Sequence, residues 1–256
     1  MPDLTLECLI DGQRYSAEQL ERLEYDRHVH VLREMKRLGA EIRHNGNTLS
    51  DDDINLLSPE DAREVSIATR RSYDFDGIRG LFKAQLQASD QLWKDANDAP
   101  AGAPIRIARA DLTITGVPFD KFRQGSDFDA LRQTYPALHP DHYFAYVDGG
   151  GRLLVMETFG MYGGPTEVHT VPDLDVAAPV ERDAGYPVLT AGYARLASDD
   201  GTDINAVAFH QFKPLDQGVS VKLCAAFPPN MPQVIVDGHK VHMAIEFWES
   251  AKLAAR

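Results

Sequence analysis

Cysteine is scarce in this chain, and a group of chemistries goes with it. Cys8 and Cys224 are the only two, far apart and outside any CxxC spacing. They cannot build a zinc finger or a disulfide framework, so two free thiols in a reducing compartment are the expected state. Basic charge is also short: 26 Lys and Arg stand against 39 Asp and Glu, for a net charge of −13 and a pI near 5.1. Phosphate binding needs clustered cations, so neither nucleic acid nor an anionic membrane surface is an expected partner. No apolar run approaches the roughly 18 residues of a membrane span. The opening Met1-Pro2-Asp3-Leu4-Thr5 has neither a basic n-region nor an apolar h-region, so no signal peptide is expected and the cytoplasm is the expected location. What is left is an acidic chain of 256 residues, 43% of them hydrophobic. That suffices for one sizeable core, or for a large and a small domain.

The texture changes along the chain. After a turn at Asp11-Gly12, Ser16 reads as a helix N-cap, and Leu20, Leu23, Val31, Leu32, Met35 and Leu38 recur at helical spacing. Ser58-Pro59 starts a second helix, with Ser as cap and Pro at the first helical position. Leu81 to Trp93 suggests a third, and Asp95 to Pro104 reads as a linker. Beyond it the pattern alternates. Strands are expected at Ile105–Ala110, Tyr143–Val147, Arg152–Glu157, Thr166–Val171, Tyr186–Leu196, Ile204–Phe212 and Val219–Phe227, with Asp148-Gly149-Gly150-Gly151 turning the second into the third. A run of helix formers from Val241 to Ala255 closes the chain. The expected architecture is therefore α+β: a helical region over residues 1–98, then over 99–256 a curved antiparallel sheet wrapped on a C-terminal helix, with a small-molecule cavity between them.

Several residues could carry chemistry. His242 and Glu246 stand four apart on the last helix, so an imidazole and a carboxylate share one face and can grip one metal ion together. Alone, such a pair is more often a plain surface pair. His30 and Glu34 repeat the spacing among arginines and lysines, the pattern of a solvated charged face. In Tyr135-Pro136-Ala137-Leu138-His139-Pro140-Asp141-His142, both His139 and His142 are candidate ligands, and the spacing does not choose between them. Glu157 ends a strand, and His210 lies inside an apolar one.

Taken together, His-Pro-Asp-His before a strand, a Glu ending the next strand, a His in a later strand, and HxxxEF followed by Leu-Ala resemble the zinc-dependent 2,4-diacetylphloroglucinol and phloretin hydrolases. The resemblance covers about residues 130–254, patchily. That family is similar to START/Bet v1-like folds and hydrolyses a carbon–carbon bond, removing an acyl group from a phenolic ring. The resemblance implies Zn2+ held by His142, Glu157, His242 and Glu246, a catalytic His210, Tyr135 on a phenolic oxygen of the substrate, and dimerisation through the N-terminal helices. His210 is then expected to titrate near neutrality and pass a proton to the ring carbon. The family's tryptophan-rich stretch is replaced here by Asp127 to Thr134, on the substrate side. Two other expectations share the scaffold: a non-catalytic START/Bet v1-like binding protein, and a metal-dependent lyase, cyclase or decarboxylase.

Overall fold

A computed structural model describes residues 4–124, 128–197 and 201–256. In chain order, a hairpin of β1 (Thr5–Ile10) and β2 (Gln13–Tyr15) precedes α1 (Ala17–Arg37). The small hairpin β3 (Arg43–His44) and β4 (Asn47–Thr48) follows, then α2 (Asp51–Asn55), α3 (Pro59–Arg71), α4 (Phe75–Leu81) and α5 (Lys83–Asn97). Next come β5 (Arg106–Thr115), α6 (Phe119–Gln124), α7 (Phe128–Leu138), β6 (His142–Val147) and β7 (Leu153–Glu157). A short 3-10 turn at Phe159–Met161 leads to β8 (Thr166–Pro172), β9 (Val188–Leu196), β10 (Asp203–Leu215), β11 (Gly218–Phe227) and α8 (Gln233–Ala254). Ser16 and Ser58 cap α1 and α3 as their sequences predict, Ser16 in a full capping box with Gln19.

Nine of the described strands form one antiparallel sheet in the order β2-β1-β5-β11-β10-β9-β8-β7-β6. The α+β expectation holds, with the sheet curved about the C-terminal helix. The division expected at residue 98 is crossed by β1 and β2, which lie N-terminal to it yet extend the sheet beside β5. Strand β5 shows why the sheet forms: Ala108, Ala110, Leu112 and Ile114 are buried while Arg109 and Asp111 between them are exposed. Those inward residues share a core with Ile235, Val236, Met243, Ala244 and Ile245 of α8.

Helix α8 is longer than its sequence pattern announces. It begins at Gln233 rather than Val241 and runs through Gly238. It is also buried nearly all round, which erases an amphipathic stripe. The cause is a second layer. On the side away from β5, Trp248 Nε1 donates to Glu21 of α1 at 3.4 Å and Glu249 accepts from Arg63 of α3 at 3.0 Å.

That helical layer also holds the segment before β6. Arg27 of α1 makes a bidentate pair with Asp141, at 2.9 and 2.5 Å. Arg70 of α3 donates to the His139 carbonyl at 3.0 Å and to the His142 carbonyl; Arg63 donates to the Ala137 carbonyl at 2.9 Å; Arg71 reaches the Gln133 carbonyl. The guanidinium groups thus satisfy backbone carbonyls of α7, of the turn after it and of the first residue of β6.

Asp141 has no exposed side chain, whereas Arg27 keeps 16% of its own exposed. Arg27→Ala strands a buried charge, so a loss of about 3–5 kcal/mol is expected in urea unfolding, with about 2–4 °C of melting temperature per kcal/mol. A loss below about 1 kcal/mol would contradict this account of the pair.

Candidate metal centre

Hydrogen bonding decides what each histidine in the centre can do. His139, His142 and His242 are buried, and each offers a ring nitrogen within 4.8 Å of the others, a cluster able to hold a metal ion. His142 Nδ1 lies 3.2 Å from the Tyr135 carbonyl, an acceptor only, so the proton sits on Nδ1 and Nε2 is bare. That Nε2 faces His242 Nε2 at 3.0 Å. His139 is arranged the other way. Its Nδ1 accepts the Asp141 backbone N–H at 3.1 Å, which puts the proton on Nε2, and that atom is buried without a partner. Its ring stacks on His242, centroids 3.8 Å apart. Burial holds all three rings well below the usual histidine range, hence neutral.

The carboxylates come from two directions. Glu157 stands opposite His142 across the β6–β7 hairpin, and its Oε2 lies 3.5 Å from His142 Nε2. The Tyr135 hydroxyl donates to the same oxygen, and the Tyr135 ring stacks on His142 at 4.0 Å. Glu246 follows one turn after His242. Burial pushes Glu157 up to about 7, and burial together with the charge of Glu157 pushes Glu246 up to about 8.

Both carboxylates open onto a cavity of about 330 Å3 between sheet and α8. Tyr135, Phe159, His210 and His239 share its wall with alanines and valines of the sheet, and among the described residues no Lys or Arg lines it. Helix and hairpin therefore bring five of the six expected site residues to one end. The sixth, His210, lies on the sheet wall with its Nδ1 accepting the Cys224 N–H at 3.3 Å. Burial pushes His210 down to about 4, so the expectation that it titrates near neutrality fails: the ring stays neutral and presents an Nε2–H. His239 was not among the expected residues. It precedes His242 by three and Glu246 by seven, the spacing of one helical face, but Gly238 before it hid the first turns of the helix. His30 lies exposed on α1, 3.7 Å from Glu34, whose side chain is largely covered. Both thiols are free and buried, and burial pushes each up to about 11.

No family model and no curated protein matches the chain. Among solved structures it is similar to the crystal structure of Ara h 8.0201, at 14% identity and a TM-score of 0.39, over 59% of this chain and 97% of that one. No helix among the described residues is long and apolar enough to cross a membrane.

The raised carboxyls set a pH dependence. Folded, Glu157 and Glu246 keep protons that the unfolded chain has already lost above its ordinary 4.5, so this contribution favours the metal-free fold at low pH and is lost as pH rises through about 7 and 8. A divalent cation replaces those protons. Chelator-treated protein is expected to lose melting temperature between pH 6 and 8.5, and added Zn2+ to raise it more at pH 8 than at pH 6, with protons released in a weakly buffered titration. An equal zinc effect at both pH values would contradict the assignment.

Proposed function

We propose that the chain is a zinc-dependent hydrolase that cleaves the carbon–carbon bond between an acyl group and an electron-rich phenolic or polyketide-like ring. The observation that carries this reading is the spacing of the ligand atoms: 3.0 Å from His142 Nε2 to His242 Nε2, and 3.5 Å from His142 Nε2 to Glu157 Oε2. A tetrahedral zinc about 2.0–2.1 Å from its ligands places neighbouring ligands about 3.3 Å apart. Glu246, close enough to feel the charge of Glu157, would be the fourth ligand, and two neutral histidines with two carboxylates would balance Zn2+. His139 stays outside the set because its unpaired nitrogen carries a proton.

When bound, zinc supplies Lewis acidity toward a carbonyl, phenolic or water oxygen. The remaining work falls to the chain. Tyr135 holds Glu157 in orientation, as an outer partner of a ligand does. His210 offers a neutral N–H in place of the proton relay first expected. The cavity wall has no cation to attract a carboxylate or phosphate, and its small side chains suit a flat neutral ring. The apolar cavity also favours a second reading, a non-catalytic small-molecule binding protein.

Elemental analysis and product analysis separate the readings. About one zinc per chain and release of free acetic acid from monoacetylphloroglucinol are expected, both lost in His242→Ala. Tyr135→Phe should cost about 10–100-fold in activity or metal affinity. Ligand binding without stoichiometric metal, unaffected by His242→Ala, would sink the enzyme in favour of the binding protein. Turnover without free acid would make it a lyase, cyclase or decarboxylase.

A further inference from the structure

Two histidines on the cavity wall lie outside the proposed ligand set, and they share an arrangement. His239 Nδ1 accepts the Gly160 backbone N–H at 3.3 Å, and His210 Nδ1 accepts the Cys224 backbone N–H at 3.3 Å. A backbone amide only donates, so both rings carry their proton on Nε2. Neither Nε2 has a protein hydrogen-bond partner among the described residues. Aromatic rings fix both imidazoles. His239 lies against Phe159 at 5.6 Å and Phe227 at 5.2 Å, and His210 meets Phe247 edge to face at 5.4 Å.

The backbone is shaped to present these two amides. Gly160 has φ of 67°, and a Cβ there would lie 2.0 Å from the Ile235 carbonyl oxygen. A Cβ on Gly238 would lie 1.8 Å from the Gly160 carbonyl oxygen. The 3-10 turn and α8 thus touch backbone to backbone, which brings the Gly160 amide onto His239. On the sheet, Ala208↔Ala225 and Gln211↔Lys222 pair in one unbroken register, and between them the Cys224 amide donates to His210.

We propose that His210 and His239 form a two-donor site for the carbonyl oxygen of an acylated ring, with His239, whose ring lies 4.9 Å from that of His242, a substrate-binding residue on the same cavity as Glu157 and Glu246. The reaction role rests on the hydrolase reading above; the binding role does not. Water adds to the acyl carbon, and the carbonyl π pair moves onto the oxygen, where two preset N–H donors receive the developing charge. Collapse re-forms the C=O and breaks the acyl–ring bond. The pair left on the ring carbon takes a proton from the added water, giving the free acid and the deacylated ring. Neutral imidazole suits this task because its N–H polarises a carbonyl without surrendering its proton.

Two measurements test the pair in the full-length protein. In protein labelled with 15N-histidine, long-range 1H–15N correlation should show His210 and His239 as Nε2–H tautomers from pH 6 to 8. An Nδ1–H tautomer or an imidazolium at His239 would overturn the proposal. The second uses 2,4,6-trihydroxyacetophenone labelled with 13C at its carbonyl, added to chelator-treated protein so that the ketone is not turned over. Its bound C=O stretch in infrared difference spectra should lie below that in an aprotic solvent. The shift should shrink in His210→Phe and His239→Phe and persist in His239→Gln, which keeps a donor. A stretch unmoved in the wild type, unchanged by His239→Phe, or no binding at all also counts against the site. If the hydrolase reading fails, no acid is released while the tautomers and the carbonyl shift remain. If it holds, His239→Phe should lower kcat about 10²-fold with little change in KM and zinc content.

Discussion

The pair between Arg27 and Asp141 fixes the segment on which the centre depends. Asp141 is wholly buried, and it lies between the two histidines whose rings face His242. Its backbone N–H sets the tautomer of His139, and its backbone carbonyl accepts from Thr158 at 3.0 Å, next to Glu157. One residue thus ties the N-terminal helices, the metal-facing histidines and the start of the 3-10 turn together. The arginines of α3 finish the job by holding carbonyls of Ala137, His139 and His142. The N-terminal region is the back wall of the site, and the geometry of His142 is set by contacts made more than a hundred residues earlier in sequence.

Electrostatics inside the cavity follow from what is missing there. With no Lys or Arg on the wall, burial outweighs the hydrogen bonds from Tyr135: the histidines are pushed to neutrality and the carboxyls toward protonation. Neutral histidine is the form that binds metal, and a crowded carboxylate pair is the form that gains most from a dication. The same absence leaves the rest of the cavity suited to an uncharged ligand. Polar side chains on its wall are those of the metal-facing end, the His210 and His239 rings, and the hydroxyl-bearing Thr170, Thr190 and Tyr193.

Local patterns made part of this legible. The glycine turn at 148–151 marks a hairpin, and a hairpin alone brings His142 opposite Glu157. The four-residue step from His242 to Glu246 needs only helical periodicity. The rest depends on tertiary contacts that no short window contains. Nothing near Arg27 points to Asp141. Helix α7 has no counterpart among the expected elements, since Pro136 in its last turns breaks the pattern. His239 stayed hidden behind a glycine, and the ionisation of His210 could not be read from an apolar strand without knowing that an amide already occupies Nδ1.

Gly160 and Gly238 act as a single position in two places. Gly160 leaves room only for the Ile235 backbone of the helix and Gly238 only for the Gly160 backbone of the turn, so neither can acquire a side chain while the facing segment stays where it is. Divergent sequences that keep this site must keep both residues, and a chain that changes one must also shift the 3-10 turn and lose the amide that orients His239. A matched change at the two glycines therefore marks where relatives of this protein have departed from its chemistry, even if every metal-facing residue is retained.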